Sequence, residues 1–262
     1  NQIYKGTSSL FGNPNFSGAF LSLSFVAALW SWFYSSKRSQ LWKVFFVFVL
    51  VLSGLGVYSA QALQGYISIA IGLMVLLVNW AFEKNKKLGV IASLGFTATG
   101  ILALLGTLQV GPLTSLLYKA SVSERGDMWR TAIAMIKESP LFGVGIERYG
   151  IAFRQYRDLD HVLRTGADSF SDNAHNVVFH LTSTGGLLLG GTYAVVTLGV
   201  LFVGLRSIVT TSGAKKIALL GALAIWIPIQ AQNAISVDTP GVFVWSWIVG
   251  GAIVGIAFEV DP

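Results

Sequence analysis

Seven long apolar runs restrict this chain to a membrane fold. A bilayer core about 30 Å thick is crossed by roughly 20 apolar residues in a helix that rises about 1.5 Å per residue. Only 11% of the 262 residues are charged, whereas a soluble domain carries about 25%. The pattern predicts an all-α, polytopic membrane helical bundle of about seven spans, at 15–34, 42–60, 63–82, 88–108, 185–205, 216–235 and 241–259.

Basic residues occupy every second joint between these runs, as the positive-inside rule requires. The joints at 60–62 and 236–240 contain no Lys or Arg. The rule therefore predicts a cytoplasmic C-terminus and an extracytoplasmic segment at 109–184. The net charge of +6 is mostly a cytoplasmic-loop effect, which removes nucleic acid as a partner. The basic residues concerned are Lys37, Arg38, Lys43, Lys84, Lys86, Lys87, Arg206, Lys215 and Lys216.

The same boundaries divide the chain into three parts. Residues 1–108 and 185–262 are predicted to be membrane helices, and 109–184 is predicted to be a helical extracytoplasmic segment that carries the chemistry. All three histidines lie in this middle segment. Eight acidic and eight basic residues occur between 109 and 175, so the net charge there is close to zero.

Helix signals subdivide the middle segment. Ser123 is predicted to cap a first helix, which Pro140 ends. A second amphipathic helix is expected at 147–157, followed by a loop at 168–173. Asp172 or Asn173 is then expected to cap a helix that carries His175 into the next span.

Arg125 and Trp129 are four residues apart and therefore share one face of the first predicted helix. One interpretation is a membrane-surface pair, with the indole ring at the headgroup level. The alternative is substrate binding, in which the guanidinium donates several hydrogen bonds to a phosphate. Arg130 points elsewhere, toward solvent or a headgroup.

The pair His175-Asn176 lies where a polar loop meets a membrane helix. A histidine there is either a structural residue or a general base, because its pKa is close to neutrality. His180 is five residues further on and would face away from it. We therefore predict no metal site and no cofactor. Gln64, at the start of an apolar span, is either a polar contact between helices or part of an outward-facing groove.

In order and spacing, these motifs resemble the O-antigen ligase and polymerase superfamily of bacterial envelope glycosyltransferases. The family pattern is R-x3-W, then P-x-x-G-x-G, an outer loop, an H-N pair and a glycine-containing membrane helix. This chain contains Arg125-Gly-Asp-Met-Trp129, Pro140-Leu-Phe-Gly143-Val-Gly145, Asn173-Ala-His175-Asn176 and Gly185-Gly186, after an entry segment Asn13-Pro14-Asn15.

The resemblance implies a membrane glycosyltransferase of envelope polysaccharide or lipopolysaccharide biosynthesis, in the bacterial inner membrane with its site on the extracytoplasmic side. The donor would be an undecaprenyl-diphosphate-linked glycan, and the acceptor a hydroxyl of a glycan or lipid. Arg125 and His175 would be catalytic; Gln64, Trp129, Asn176 and Arg130 would bind substrate.

The chain differs from the usual family pattern in two respects. Family members usually have ten to twelve spans, so we interpret this chain as a fragment. The family often places an arginine, which helps to hold the diphosphate, where Gln64 stands before Gly65.

Two other functional classes are alternatives to the transferase. A transporter of a lipid-linked or small anionic substrate usually has charged residues within its spans or an inverted repeat, and the sequence has neither. A membrane scaffold would tolerate alanine at Arg125 and His175. Within the transferase class, the sequence does not separate a ligase from a polymerase or a protein O-glycosylating enzyme.

Overall fold

The structure is a computed structural model that describes residues 6, 9–34, 39–107 and 120–259. Among these residues there is no strand: a short 3-10 turn at Ser9–Phe11 is followed by ten α-helices. They are α1 (Pro14–Tyr34), α2 (Gln40–Ala60), α3 (Leu63–Lys84), α4 (Lys86–Thr107), α5 (Ala120–Glu138), α6 (Tyr149–Tyr156), α7 (Leu159–Thr165), α8 (Val177–Thr210), α9 (Gly213–Asn233) and α10 (Pro240–Phe258).

Seven of these helices are long and apolar enough to cross a membrane: α1 to α4 and α8 to α10. Their outward faces carry large exposed apolar side chains such as Phe48, Leu55 and Leu94, which lipid rather than water would cover. The predicted all-α membrane bundle of seven spans is therefore confirmed. The predicted joint residues Lys37 and Arg38 lie outside the described residues.

The chain packs as two compact units. The first comprises 1–84, 198–232 and 238–262, and the second comprises 85–197 and 233–237. This grouping reflects packing, whereas the predicted division at 108 and 184 concerns the membrane, so that division stays a prediction.

Close helix contacts in the first unit depend on small residues. A Cβ atom at Gly65 would lie 2.9 Å from the Gly18 carbonyl oxygen, so α1 and α3 approach with their backbones almost touching. At Gly72, a Cβ would lie 2.9 Å from the Ala224 carbonyl oxygen. Pro228 has no N–H to donate to that carbonyl within α9. Because Gly72 has no side chain, α3 can approach the Ala224 carbonyl, which accepts no hydrogen bond from position 228 of α9.

Polar contacts identify one end of the first unit. Lys216 Nζ lies 3.5 Å from Glu83 Oε1, and Lys215 Nζ donates to the Glu259 carbonyl at 2.6 Å. The joint after α3, the joint before α9 and the end of α10 therefore meet at one end. The prediction that these two basic joints share a side agrees with this arrangement.

The helix boundaries correct two local predictions. Helix α5 begins at Ala120, so Ser123 lies inside the helix rather than at its cap. Helix α8 begins at Val177, so His175 precedes the helix, and neither Asp172 nor Asn173 caps it. Asn176 caps it instead, because its Oδ1 accepts from the Phe179 N–H at 3.0 Å. The predicted second helix and the loop at 168–173 are confirmed.

Candidate functional site

A small apolar core holds the second unit together around α5. Its buried members are Ala132 and Met135 of α5, Tyr149 and Phe153 of α6, and Ala174 before α8. The Tyr149 hydroxyl donates to the Met128 carbonyl at 2.8 Å, and burial raises the pKa of Tyr149 well above its usual range. This core fixes α5 against the segment that leads into α8.

Arg125 of α5 is half-buried, and none of the described residues forms a hydrogen bond or ion pair with its guanidinium. Burial lowers the pKa of Arg125, and the neighbouring Glu124 opposes that effect. Three other arginines of the same unit have protein partners, namely Arg130, Arg157 and Arg164. Arg125 is therefore a partly desolvated cation with donors to spare.

His175 lies in the same unit, in a left-handed backbone conformation with φ of 51°. The Asn173 side chain holds this turn by accepting from the His175 N–H at 2.8 Å. The His175 Nδ1 lies 3.3 Å from the Asn173 carbonyl oxygen. Because a carbonyl oxygen only accepts, Nδ1 carries the proton of the neutral ring, and Nε2 keeps a lone pair.

Burial lowers the pKa of His175, the Asn173 carbonyl partly opposes this, and the charge of Arg125 lowers the pKa further. The lowered pKa keeps the imidazole neutral at neutral pH. The last effect also means that Arg125 and His175, 50 positions apart in the sequence, are within electrostatic reach of each other. Arg125 and His175, the two residues predicted to be catalytic, thus lie in the same compact unit.

The other predicted site residues of this unit each have a protein partner. Trp129 is 2% exposed and packs on Phe179 with ring centroids 5.8 Å apart, so it does not lie at a headgroup level. Its indole N–H is buried without a partner among the described residues. Asn176 donates to the Ala234 carbonyl at 2.9 Å, in addition to capping α8. Arg130 pairs with Asp127 and Asp158 instead of pointing freely into solvent.

Gln64 belongs to the first unit. It is 5% exposed, and its Oε1 accepts from Gln232 Nε2 of α9 at 2.8 Å. This bond is a polar contact between two helices, one of the two alternatives that the sequence left open. Its Nε2 is buried without a partner among the described residues.

A charged cluster around Asp127 is the feature that sequence reasoning missed. Asp127 is 1% exposed, and its carboxylate is contacted by Arg130, Arg164 and the buried ring of His161. The His161 Nδ1 lies 3.2 Å from Asp127 Oδ2, and its Nε2 lies 2.8 Å from Ser169 Oγ. The cluster ties α5 to α7 and to the loop that follows.

Asp158 extends this cluster at the start of α7. Its side chain caps the helix by accepting from the His161 N–H at 2.7 Å, and it pairs with Arg130 at 2.8 Å. Burial raises the pKa of Asp158, but the hydrogen bonds from Arg130 and the His161 N–H outweigh this and lower it. Although two carboxylates and a histidine meet here, no group of three or more His, Asp or Glu among the described residues is arranged to hold a metal ion.

The turn after α5 docks onto a break in α8. Gly186 interrupts that helix with φ of 74° and ψ of −176°, a conformation that only glycine adopts readily. In an unbroken helix the Leu187 N–H would donate to Ser183; here it donates to the Pro140 carbonyl at 2.8 Å. The carbonyls of Ser183 and Thr184 accept from the N–H groups of Val144 (2.9 Å) and Gly145 (3.0 Å).

This docking gives the Pro140–Gly145 motif its physical role. A Cβ atom at Gly143, where φ is 65°, would collide with the Ser183–Thr184 backbone. The turn replaces hydrogen bonds that the broken helix cannot make for itself, which a membrane span requires. It also holds the end of α5 against the helix that follows His175.

With this geometry in hand, a comparison with known families is decisive. The family model described as O-antigen ligase matches residues 48–194, more than half of the chain. The chain belongs to the O-antigen ligase family. The resemblance inferred from the motifs is thereby confirmed. Neither a curated protein nor a solved structure matches the chain.

The matched region contains all of the predicted site residues, from Gln64 to Asn176, together with the turn and the break at Gly186. The entry segment Asn13-Pro14-Asn15 lies before it. The protein is therefore a multi-pass membrane protein of the O-antigen ligase family, and this membership implies ligase or glycosyltransferase-type activity.

Proposed function

We propose that this O-antigen ligase family member transfers a glycan from an undecaprenyl-diphosphate carrier to a hydroxyl group of a glycan or lipid acceptor. The acceptor oxygen attacks the anomeric carbon of the donor sugar. The bond from that carbon to the diphosphate breaks as the new glycosidic bond forms, so the anomeric configuration inverts. The acceptor proton leaves to a base, and the diphosphate keeps the electron pair of the broken bond.

The state of Arg125 is the single observation that carries this proposal. A guanidinium that is half-buried and unpaired among the described residues has lost water without gaining a protein anion. Such a group binds an incoming anion strongly, because much of the desolvation cost is already met by the fold. A diphosphate provides that anion, and its negative charge increases as the glycosidic bond breaks.

His175 supplies the base. Its pKa is lowered by burial, partly restored by the Asn173 carbonyl and lowered again by Arg125, so the ring is neutral at physiological pH. Its Nε2 lone pair is available to accept the acceptor's hydroxyl proton. Trp129 offers its buried N–H to a ligand oxygen. We assign Asn176 and Arg130 to substrate binding or to its support.

The decisive experiment measures glycan transfer by Arg125→Ala and His175→Ala in membranes that contain lipid-linked glycan. Loss of a donor to the developing charge costs about 3–4 kcal/mol of barrier, or several-hundredfold in rate. Loss of the base costs on the order of a hundredfold or more. Lipid-linked glycan should accumulate in both variants.

Arg154→Ala is the matched control, since Arg154 is exposed on α6 and distant in sequence from both residues. Its transfer rate should equal that of the unchanged chain. Unchanged polysaccharide in both site variants would disprove the proposal. Substrate-dependent flux in proteoliposomes without bond transfer would favour the transporter alternative.

The pH profile tests the base separately. Because burial, more than any other influence, holds the pKa of His175 below its usual value of about 6.5, kcat/KM should stay constant from neutrality down past that value. It should fall only in more acidic solution, as the imidazole gains a proton. An acid limb that begins above the usual value would contradict the assignment.

We also propose that the site faces the extracytoplasmic side, on the basis of the alternating basic joints. The chain contains no cysteine, so single cysteines give a clean test. Asp168→Cys should react with a membrane-impermeant maleimide in spheroplasts, and Lys84→Cys should react only after lysis. The reverse result would invert the topology.

A further inference from the structure

A cleft lies at the far end of α5 from Arg125. It has a volume of about 390 Å³, within the range of roughly 300–1,000 Å³ that small-molecule sites occupy. Its polar lining comes from the end of α5, the docked turn and α6: Glu138, Ser139, Arg148, Gln155 and Tyr156. Thirteen residues of helix separate Glu138 from Arg125, which corresponds to about 20 Å.

Two of the lining side chains have hydrogen-bonding capacity to spare. Among the described residues, neither the Arg148 guanidinium nor the Gln155 amide makes a hydrogen bond or ion pair with protein. Arg148 is nevertheless positioned, because its side chain lies over Gly145, where a Cβ atom would be 2.7 Å from its Cδ. Gly145 has no side chain, so the glycine of the sequence motif leaves that space open.

The remaining groups define the chemistry of the ligand. The Glu138 carboxylate lies beside Tyr156 and adds a strong acceptor to the cleft. An anionic ligand attracted by Arg148 would be repelled by Glu138. An apolar ligand would leave the guanidinium, carboxylate and amide unsatisfied. A ligand with many neutral hydroxyl groups meets both requirements, since each hydroxyl donates and accepts.

We propose that this cleft binds an uncharged saccharide residue of the glycan substrate, at a distance from the residue being transferred. The inference rests on the proposed function, which supplies a glycan long enough to extend along α5. Arg148, Gln155 and Glu138 bind the sugar hydroxyls in this subsite. The cleft then contributes to substrate affinity and chain-length preference rather than to bond chemistry.

The test uses glycan released by mild acid from the lipid-linked pool of the cells that encode the protein, with the full chain in detergent. Saturation-transfer NMR should detect the glycan, and Arg148→Ala and Gln155→Ala should each raise its Kd about fivefold. Arg154→Ala is the matched control, because it removes an exposed arginine of α6 that does not line the cleft. It should leave the Kd unchanged.

Chain length provides an independent readout. With a lipid-linked donor of many sugars, Arg148→Ala should raise KM about fivefold and leave kcat unchanged. With a donor that carries one sugar, too short to reach 20 Å, KM should be unchanged.

Absence of glycan binding, or equal loss in Arg148→Ala and Arg154→Ala, would overturn the subsite. The binding measurement needs no turnover, so it separates this inference from the transferase proposal. Glycan binding that depends on Arg148 in a chain with no transfer activity would sustain the subsite while the reaction failed.

Discussion

The two compact units differ in the kind of polar group that they bury: neutral in the first, and including a carboxylate in the second. In the first unit, buried polar side chains are neutral and pair singly, as in the Gln64–Gln232 bond, or turn back on their own helix, as Ser53 does toward Val49. In the second unit, a carboxylate that is 1% exposed receives contacts from two arginines and a histidine. The first resembles a lipid-embedded bundle. The second combines α4 and the first part of α8 with charged clusters typical of a water-exposed segment.

This difference indicates which unit contains the stronger polar interactions. Bonds between neutral groups in a membrane bundle are weak individually, because the alternative partners are also within the bundle. A desolvated charge cluster is costly to disturb once it is formed. The second unit is therefore the part of the molecule where single substitutions should have the largest effects, and it also contains Arg125 and His175.

The largest effect is expected for Gly186→Ala. A side chain there would adopt a glycine-only conformation and would collide with the Leu141 carbonyl, so the turn would lose its three backbone hydrogen bonds to α8. We expect a loss of about 3–5 kcal/mol in the free energy of unfolding, measured in detergent. Gly191→Ala, at an open position of the same helix, is the control. Equal stability of both variants would refute the docking role.

Asp127→Ala should be next in size. It removes the carboxylate that contacts Nδ1 of the buried His161 ring, and it releases two arginines, which are half-exposed and can regain water. We expect the free energy of unfolding to fall by about 2–3 kcal/mol, which is less than the roughly 3–5 kcal/mol lost when a fully buried ion pair is broken. Asp168→Ala removes an exposed acid of the same segment and should cost little. Thermal unfolding of both variants, followed by a probe on α5, is the measurement. Equal loss of stability in the two variants would contradict the role of the Asp127 cluster.

A double-mutant cycle on Gln64→Leu and Gln232→Leu measures the contrasting bond in the first unit. Hydrogen bonds between membrane helices average about 0.6 kcal/mol in such cycles. We expect a coupling energy of that order from unfolding in detergent. A value that matched the Asp127 effect would remove the contrast between the units.

The smallest effect is expected for Arg125→Gln on the titration of His175. Burial dominates the lowered pKa of His175, the Asn173 carbonyl opposes it, and the Arg125 charge comes third. Removing that charge should raise the pKa of His175 slightly, as measured by NMR of a histidine-labelled chain. A fall, or no change, would mean that the two residues do not interact in solution.

Much of the architecture was readable from the sequence, because apolar length and alternating basic joints are local or periodic signals. The assignment of Arg125 and His175 to one site came from the family motifs rather than from periodicity, and it stays a proposal. Helix ends were harder to predict: Ser123 looked like a cap, but the helix continues back to Ala120. At the next span, Asn176 took the capping position that Asp172 and Asn173 were predicted to fill.

The Asp127 cluster could not have been predicted with the same tools. The Asp127–Arg130 spacing suits a pair on one helix face, and that part of the signal was present. The contact with His161 joins residues 34 positions apart across a loop, which no local pattern encodes. The break at Gly186 was hidden for a similar reason, since two adjacent glycines in an apolar run also suit a regular packed helix.

The docked turn has a consequence for how the protein is made. The segment Pro140–Gly145 leaves the ribosome before α8, so the groups that complete the broken helix already exist when Ser183 and Thr184 are translated. The proposed topology puts this turn on the extracytoplasmic side. It is therefore in place when the carbonyls of Ser183 and Thr184 reach that side, as the following piece at 187–210, itself long enough to cross a bilayer, is inserted. The order of these segments along the chain thus avoids a period in which backbone groups lie in lipid without hydrogen-bond partners.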